Sequence, residues 1–242
     1  MSLKNKVIVI TGASTGLGEG MAIWFAAEGA SLGLCARRVP LSPVESSVVS
    51  SVDVTDLAAL ELFVTEVGRR LGPIDLWINN AAVLGPVTPQ RDLSAEELND
   101  HLAVNVGGVL NGTKAFLDHL DKAGHRGALV NITSGLAQRG AAGLSAYSAA
   151  KAGVDRLTEV VAIEEPDLLT TILAVSPGVI ETDMQRSLRQ QSEEVLHDVE
   201  RFREYKAEGN MNSPGWVAQH IARWVFDDVA LAGQVMRVPP ES

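Results

Sequence analysis

Three side chains between Asn131 and Lys151 have the types and spacing needed for one piece of acid chemistry: Ser134, Tyr147 and Lys151. Val130, Ile132 and the small residues around them read as a short buried strand ending at Thr133 or Ser134, and Ala146 to Ile163 is apolar at helical spacing. Tyr147 and Lys151 therefore lie four apart on one helix face. A free tyrosine, with a pKa of about 10, is a poor acid near neutrality. An ammonium group nearby stabilises the phenolate and moves that value down towards the working range. On this reading the lysine tunes and the tyrosine donates the proton, while the strand-end hydroxyl of Ser134 bonds the carbonyl oxygen on which charge develops. Taken alone, Tyr-x-x-x-Lys also fits a solvated helix face carrying an amphipathic ring.

A second signal lies near the N-terminus. Lys6 to Ile10 reads as a buried parallel strand, followed by Thr11-Gly12-Ala13-Ser14-Thr15-Gly16-Leu17-Gly18 and then Met21, Ala22, Phe25 and Ala26 at helical spacing until Gly29. Glycines spaced G-x-x-x-G-x-G between a strand and a helix start let backbone N–H groups and the helix dipole meet a pyrophosphate. An ordinary strand-to-helix turn would use the same glycines, so the reading as a dinucleotide site leans on the two signals together.

Together the two stretches resemble the short-chain dehydrogenase/reductase family, over nearly the whole chain. The resemblance implies a single α/β domain over residues 1–242, doubly wound and Rossmann-type. It would have about seven parallel strands with helices on both faces. It also implies hydride transfer from NADPH to a carbonyl. Tyr147 would be the proton donor, Lys151 would hold the nicotinamide ribose, and Asn105 would support a water-bearing proton relay as the family's fourth catalytic residue. Asn105 sits in a helical pattern opened by Ser94-x-x-Glu97, a capping box, and running to about Leu120 with Leu98, Leu102, Val106, Leu110 and Phe116 on one side. A buried helical asparagine is costly unless its amide is satisfied, so pinning neighbouring backbone is its other reading.

Further motifs outline the cofactor site. The second strand, Ser31 to Ala36, ends in Arg37-Arg38 where an NAD enzyme would place an acid, which favours NADPH because guanidinium groups bind phosphate in bidentate fashion. From Val39 to Ser51 two prolines and five serines leave no room for the usual crossover helix. Val48 to Val52 reads as strand three, and Asp53-Val54 resembles the family's adenine-contacting pair. Thr55 is expected to cap a helix from Asp56 to Leu71. After strand four, Ile74 to Ile78, comes Asn79-Asn80-Ala81-Ala82, close to the family's Asn-Asn-Ala-Gly; Asn80 would tie strands together and, with Ala81, line the cofactor. Beyond a sixth strand over Leu168 to Val175, Pro177-Gly178-Val179-Ile180-Glu181-Thr182 resembles the loop contacting the nicotinamide carboxamide, with Ile180, Thr182 and Met184 among the cofactor contacts. Residues 183–212 form a polar segment long enough to be a substrate lid. Ser213-Pro214 starts the last helix, and Gly233 to Val238 is the closing strand.

Composition narrows the classes. With 242 residues, 46% of them hydrophobic, and a mean hydropathy of +0.11, the chain suits one globular domain. A formal charge of −10 disfavours nucleic acid as a partner. No apolar run approaches the length of a membrane span and no signal-peptide pattern opens the chain, so a cytoplasmic location is expected. The single cysteine, Cys35, fits a reducing compartment as a small core residue. His101, His119, His125, His197 and His220 lack metal-ligand spacing, and they are expected to be surface or core polar contacts; no metal is expected. Family members are commonly homodimers or homotetramers built on helices corresponding to 94–121 and 147–165.

Within the family, Ala36-Arg37, Thr182-Asp183-Met184-Gln185 and Lys206-Ala207-Glu208-Gly209 are most similar to the sepiapterin reductase and benzil reductase branch. Met236 would replace the pterin-anchoring aspartate of sepiapterin reductases, implying apolar ketones or 1,2-diketones as substrates. A 3-oxoacyl or 3-hydroxy-acid oxidoreductase and a non-catalytic NADPH-binding sensor are the alternatives.

Overall fold

In the computed structural model, which describes residues 2–41, 46–209, 211–227 and 231–241, Val7–Thr11 forms β1, buried along its whole length. Its side chains serve two cores, because successive residues point to opposite faces of a strand. Ile8 and Ile10 join Leu32 and Leu34 under one helical layer, and Val7 and Val9 join Trp77 and Leu129 under the other. Strands β2 (Ser31–Ala36), β3 (Ser47–Ser51), β4 (Leu76–Asn79), β5 (Gly127–Ile132), β6 (Leu169–Ser176) and β7 (Ala232–Arg237) complete a seven-stranded sheet of order β3-β2-β1-β4-β5-β6-β7, every pairing parallel. The chain winds outward from β1 to β3 and returns to β4, so the crevice between the carboxyl ends of β1 and β4 is the natural ligand position.

Helix α1 (Gly16–Ala27) and the last helix, α8 (Pro214–Phe226), cover one face through Met21, Phe25, Val217 and Ile221. Helices α2 (Leu57–Leu71), α4 (Gly108–Ala123) and α5 (Ser145–Glu164) cover the other, where Phe116 stacks on Trp77 with ring centroids 5.9 Å apart. Two buried asparagines tie this face together. Asn79 Oδ1 accepts from Trp77 Nε1 at 2.7 Å, its amide donates to Asn131 Oδ1 at 2.9 Å, and Asn131 in turn donates to Thr158 of α5 at 2.9 Å. Gly112 is required beside them, since a Cβ there would lie 2.2 Å from Asn79 Oδ1.

Several expectations change. The capping box of Ser94 and Glu97 opens α3 (Ala95–Leu102), but the expected continuous helix widens into one π-type turn over Ala103–Gly107 before α4. That turn shifts the phase of everything after it. The buried side of α4 is Val109, Gly112, Phe116 and Leu120, while Leu110 is 54% exposed and Leu98, Leu102 and Val106 are only partly covered. Asp56, not Thr55, caps α2 by accepting from Ala59 N–H; Thr55 instead donates to the Asp53 carboxylate at 2.9 Å from its N–H and 2.8 Å from its hydroxyl. Residues 42–45 of the trimmed crossover and residue 210 of the 183–212 segment lie outside the described residues. The rest of that segment carries α6 (Asp183–Arg189) and α7 (Val199–Ala207).

Candidate active site

The carboxyl ends of the central strands open into one cleft of about 1690 Å³. Its floor at β1 is the glycine loop. Gly12 and Gly16 adopt φ of 66° and 61°, where a side chain would be strained. A Cβ on Gly18 would sit 2.4 Å from Gly12 O and 2.6 Å from Asn80 Nδ2. Asn80 holds the loop in place, its Nδ2 donating to Thr11 O at 2.9 Å and Gly12 O at 3.2 Å, while Thr11 Oγ1 accepts from the N–H groups of Asn80 and Ala81. Thr15, at the start of α1, makes no side-chain cap, and Ser14, Thr15, Gly16 and Leu17 all face the cleft. An uncapped helix N-terminus on a glycine-rich turn fits a pyrophosphate. Arg37 and Arg38 line the far end, both exposed, opposite Asp53 and Val54. The Thr55 N–H bond, with the Arg37 charge adding to it, holds the Asp53 carboxyl below its usual range.

At the other end of the cleft β5 and α5 bring Ser134, Tyr147 and Lys151 together. Ser134 follows the strand and accepts from Leu136 N–H at 3.2 Å, and its hydroxyl shares the cleft with Tyr147. Lys151 is buried, donates from Nζ to Ile132 O at 2.8 Å and lies 5.7 Å from the centre of the Tyr147 ring. Its own burial pushes the ammonium down to about 8, with Asp155 one turn below pulling the other way. Here the expected direction reverses. Burial pushes the tyrosine up to about 12, with the Ser134 hydroxyl pulling the other way.

Asn105 is placed differently from its neighbours in sequence expectation. It is fully buried in the π-type turn and absent from the cleft lining, with its side chain gripping Val83: Oδ1 accepts from Val83 N–H and Nδ2 donates to Val83 O, both at 3.1 Å. Of its two readings, the geometry displays the pinning of backbone. Beside it lies His101, expected from the sequence only as a surface or core polar contact. His101, one turn earlier, bonds Gly85 O at 2.6 Å and Asn105 Nδ2 at 3.0 Å, and meets Tyr147 edge-on at 6.2 Å. The i, i+4 spacing to Asn105 was the available signal.

Pro177, Gly178, Ile180, Thr182 and Met184 complete the rim. Asn212 pins this loop by donating to Pro177 O at 2.9 Å and from its N–H to Val179 O at 2.8 Å, and the Thr182 hydroxyl caps α6. Glu181 joins the loop to both following helices, bonding Arg189 at 2.6 Å and Lys206 at 3.1 Å. An apolar wall of Leu84, Leu136, Met184, Leu188 and Phe202 surrounds Tyr147 within the cleft. Met236 is not part of it. That side chain packs on the core beneath α1 and α8, and its neighbours Val235 and Arg237 face the cleft. The apolar wall around Tyr147 therefore comes from α6, α7, the loop after β4 and the turn after β5, while β7 lines the cleft through Val235 and Arg237. Among the described residues no group of three or more His, Cys, Asp or Glu side chains could hold a metal ion, and no helix is long and apolar enough to cross a membrane.

Comparison with known proteins places these features. The family model for short chain dehydrogenase matches residues 6–193. A benzil reductase ((S)-benzoin forming) from Bacillus subtilis is 30% identical over 220 residues, covering 88% of this chain and 90% of the relative. A levodione reductase from Leifsonia aquatica is 34% identical over 198 residues, covering 77% and 74%. Among solved structures, a single-substitution variant of actinorhodin polyketide ketoreductase with NADPH superimposes with a TM-score of 0.82 at 27% identity, covering 98% of this chain and 97% of that one.

Proposed function

The chain belongs to the short chain dehydrogenase family and is an oxidoreductase, and on that footing we propose that it reduces a ketone or 1,2-diketone to an alcohol with NADPH. The observation that carries this reading is the convergence of Ser134, Tyr147 and buried Lys151 at one end of a single cleft. A substrate carbonyl oxygen takes its place between the two hydroxyls. Ser134 donates to it, and Tyr147, kept protonated across the neutral range by burial, transfers its proton as charge builds there. The Lys151 ammonium then stabilises the phenolate left behind. When bound, the reduced nicotinamide supplies the hydride. Asn105 supports the site by holding Val83.

Arg37 and Arg38, without an acid at Ala36, support NADPH over NADH, as does the relative solved with that cofactor. Relatives named for benzil and levodione, together with the apolar wall around Tyr147, support a ketone flanked by hydrocarbon. Helices α6 and α7 act as the lid. Leu110, Val160 and Ile163, exposed on α4 and α5, support a homodimer or homotetramer, and the buried lone Cys35 suits a cytoplasmic setting.

The test is NADPH oxidation with purified protein across benzil, 1-phenyl-1,2-propanedione, sepiapterin and a 3-oxoacyl thioester. The diketones are expected to give the highest kcat/KM. NADPH binding with no turnover of any carbonyl would favour a sensor, and a preference for the thioester would favour the acyl-reductase alternative.

A further inference from the structure

His101 lies at the end of α3 and is 2% exposed, yet it is absent from the cleft lining. Burying an imidazole costs stability unless both ring nitrogens find partners, and here both do. Nδ1 faces the Gly85 carbonyl oxygen at 2.6 Å and Nε2 faces the Asn105 amide nitrogen at 3.0 Å. A carbonyl oxygen only accepts, so the proton sits on Nδ1 and Nε2 is the acceptor. Asn105 passes the contact on to both backbone groups of Val83. The hydrogen bonds therefore run from Gly85 through His101 and Asn105 to Val83, pinning both ends of one three-residue segment.

That segment is a wall of the substrate region. Val83 and Leu84 line the main cleft, and with Gly85 they face α6 across an adjoining groove of about 460 Å³. On its other side the His101 ring meets Tyr147 edge-on, with centroids 6.2 Å apart at 70°. Burial, reinforced by the Lys151 charge and opposed by the Gly85 bond, holds the imidazole in its neutral form. Among the described residues no hydrogen bond joins the glycine loop, Arg37 or Arg38 to His101 or Asn105.

We propose that His101 is a positioning residue for carbonyl reduction: as the neutral Nδ1–H tautomer it fixes the 83–85 wall and the Tyr147 ring, and so governs how the ketone is seated rather than how the cofactor is held. The role rests on the carbonyl-reductase reading above.

Two measurements test it. Long-range ¹H–¹⁵N spectra of the histidine rings, assigned by comparison with His101→Asn, read the tautomer in the unmodified enzyme without turnover. A single Nδ1–H ring is expected for His101; an Nε2–H or tautomer-averaged pattern overturns the proposal. The second measurement is kinetic, at a temperature well below each variant's Tm. His101→Phe keeps an aromatic edge but neither hydrogen bond, and should raise KM for the best ketone about tenfold while Kd for NADPH stays within about threefold. His101→Asn can still donate to Gly85 and should recover part of that loss. An unchanged ketone KM in both variants, or a defect confined to NADPH binding, overturns the role. The two failures are separable. No ketone turnover by the unmodified enzyme sinks the functional reading, whereas normal turnover with the wrong tautomer or an unmoved KM sinks only the assignment to His101.

Discussion

Lys151 Nζ donates to the carbonyl oxygen of Ile132 at 2.8 Å, so the lysine is tethered to the end of the strand that also delivers Ser134. The tether holds the ammonium in a buried position, where desolvation brings its pKa down to about 8. Its charge is present below that value and is lost as pH rises through it. Stability has the same threshold with the opposite sense: the cost of burying the ammonium applies in full below about 8 and fades at higher pH, because the unfolded lysine still holds its proton there.

The first prediction follows from that charge. If the ammonium must stabilise the phenolate, kcat/KM for ketone reduction is level below about pH 7 and declines above about pH 8. A profile that stays level up to about pH 9.5 would show that Lys151 does not contribute its charge to the step.

Tyr147→Phe removes the proton donor and keeps the ring in its apolar surroundings. General acid catalysis contributes roughly 10²–10⁴-fold, so kcat should fall by at least the lower figure while NADPH fluorescence titrations stay close to the parent. Retention of more than about a tenth of kcat would take Tyr147 out of the mechanism.

Arg37 faces the cleft end where a 2′-phosphate would lie. Loss of one charge-assisted contact costs about 1.5–3 kcal/mol, roughly ten- to a hundredfold in affinity. Arg37→Ala should therefore weaken NADPH by that factor and leave NADH nearly unchanged. Equal kcat/KM for the two cofactors in the unmodified enzyme contradicts the preference outright.

Gly18 is held by distances, since an added Cβ would press on Gly12 O at 2.4 Å and Asn80 Nδ2 at 2.6 Å. Backbone would have to move. Gly18→Ala is expected to cost about 1–3 kcal/mol, a drop in Tm of roughly 2–12 °C for a chain of this length, with weakened NADPH binding. Calorimetry showing a Tm within about 1 °C of the parent, with binding intact, would mean that the loop has more room than these distances allow.

Much of the architecture is legible in the chain itself. Apolar runs such as Val7–Thr11 announce buried strands, and the glycines that follow announce a tight turn at a helix start. Ser94 with Glu97 marks a helix beginning, as does Ser213 with Pro214, because caps are made within one turn of chain. Tyr147 and Lys151 at four-residue spacing must share a helix face whatever surrounds them. These are local facts, carried by residues close enough in sequence to constrain one another.

What surrounds them was decided only in three dimensions. The pKa of the Tyr147 phenol rises instead of falling because Leu84, Leu188 and Phe202, from the loop after β4 and from α6 and α7, shield it from water. Met236 belongs to the core rather than the cleft because β7 pairs with β6 in a register that turns its neighbours to the cleft. The π-type turn at 103–107 and the partnership of His101 with Gly85 depend on how α3 meets the loop after β4. Periodicity tells which residues share a face of their own element. Which distant element covers that face, and so whether a charge is desolvated or a ring nitrogen satisfied, depends on packing between segments far apart in the chain.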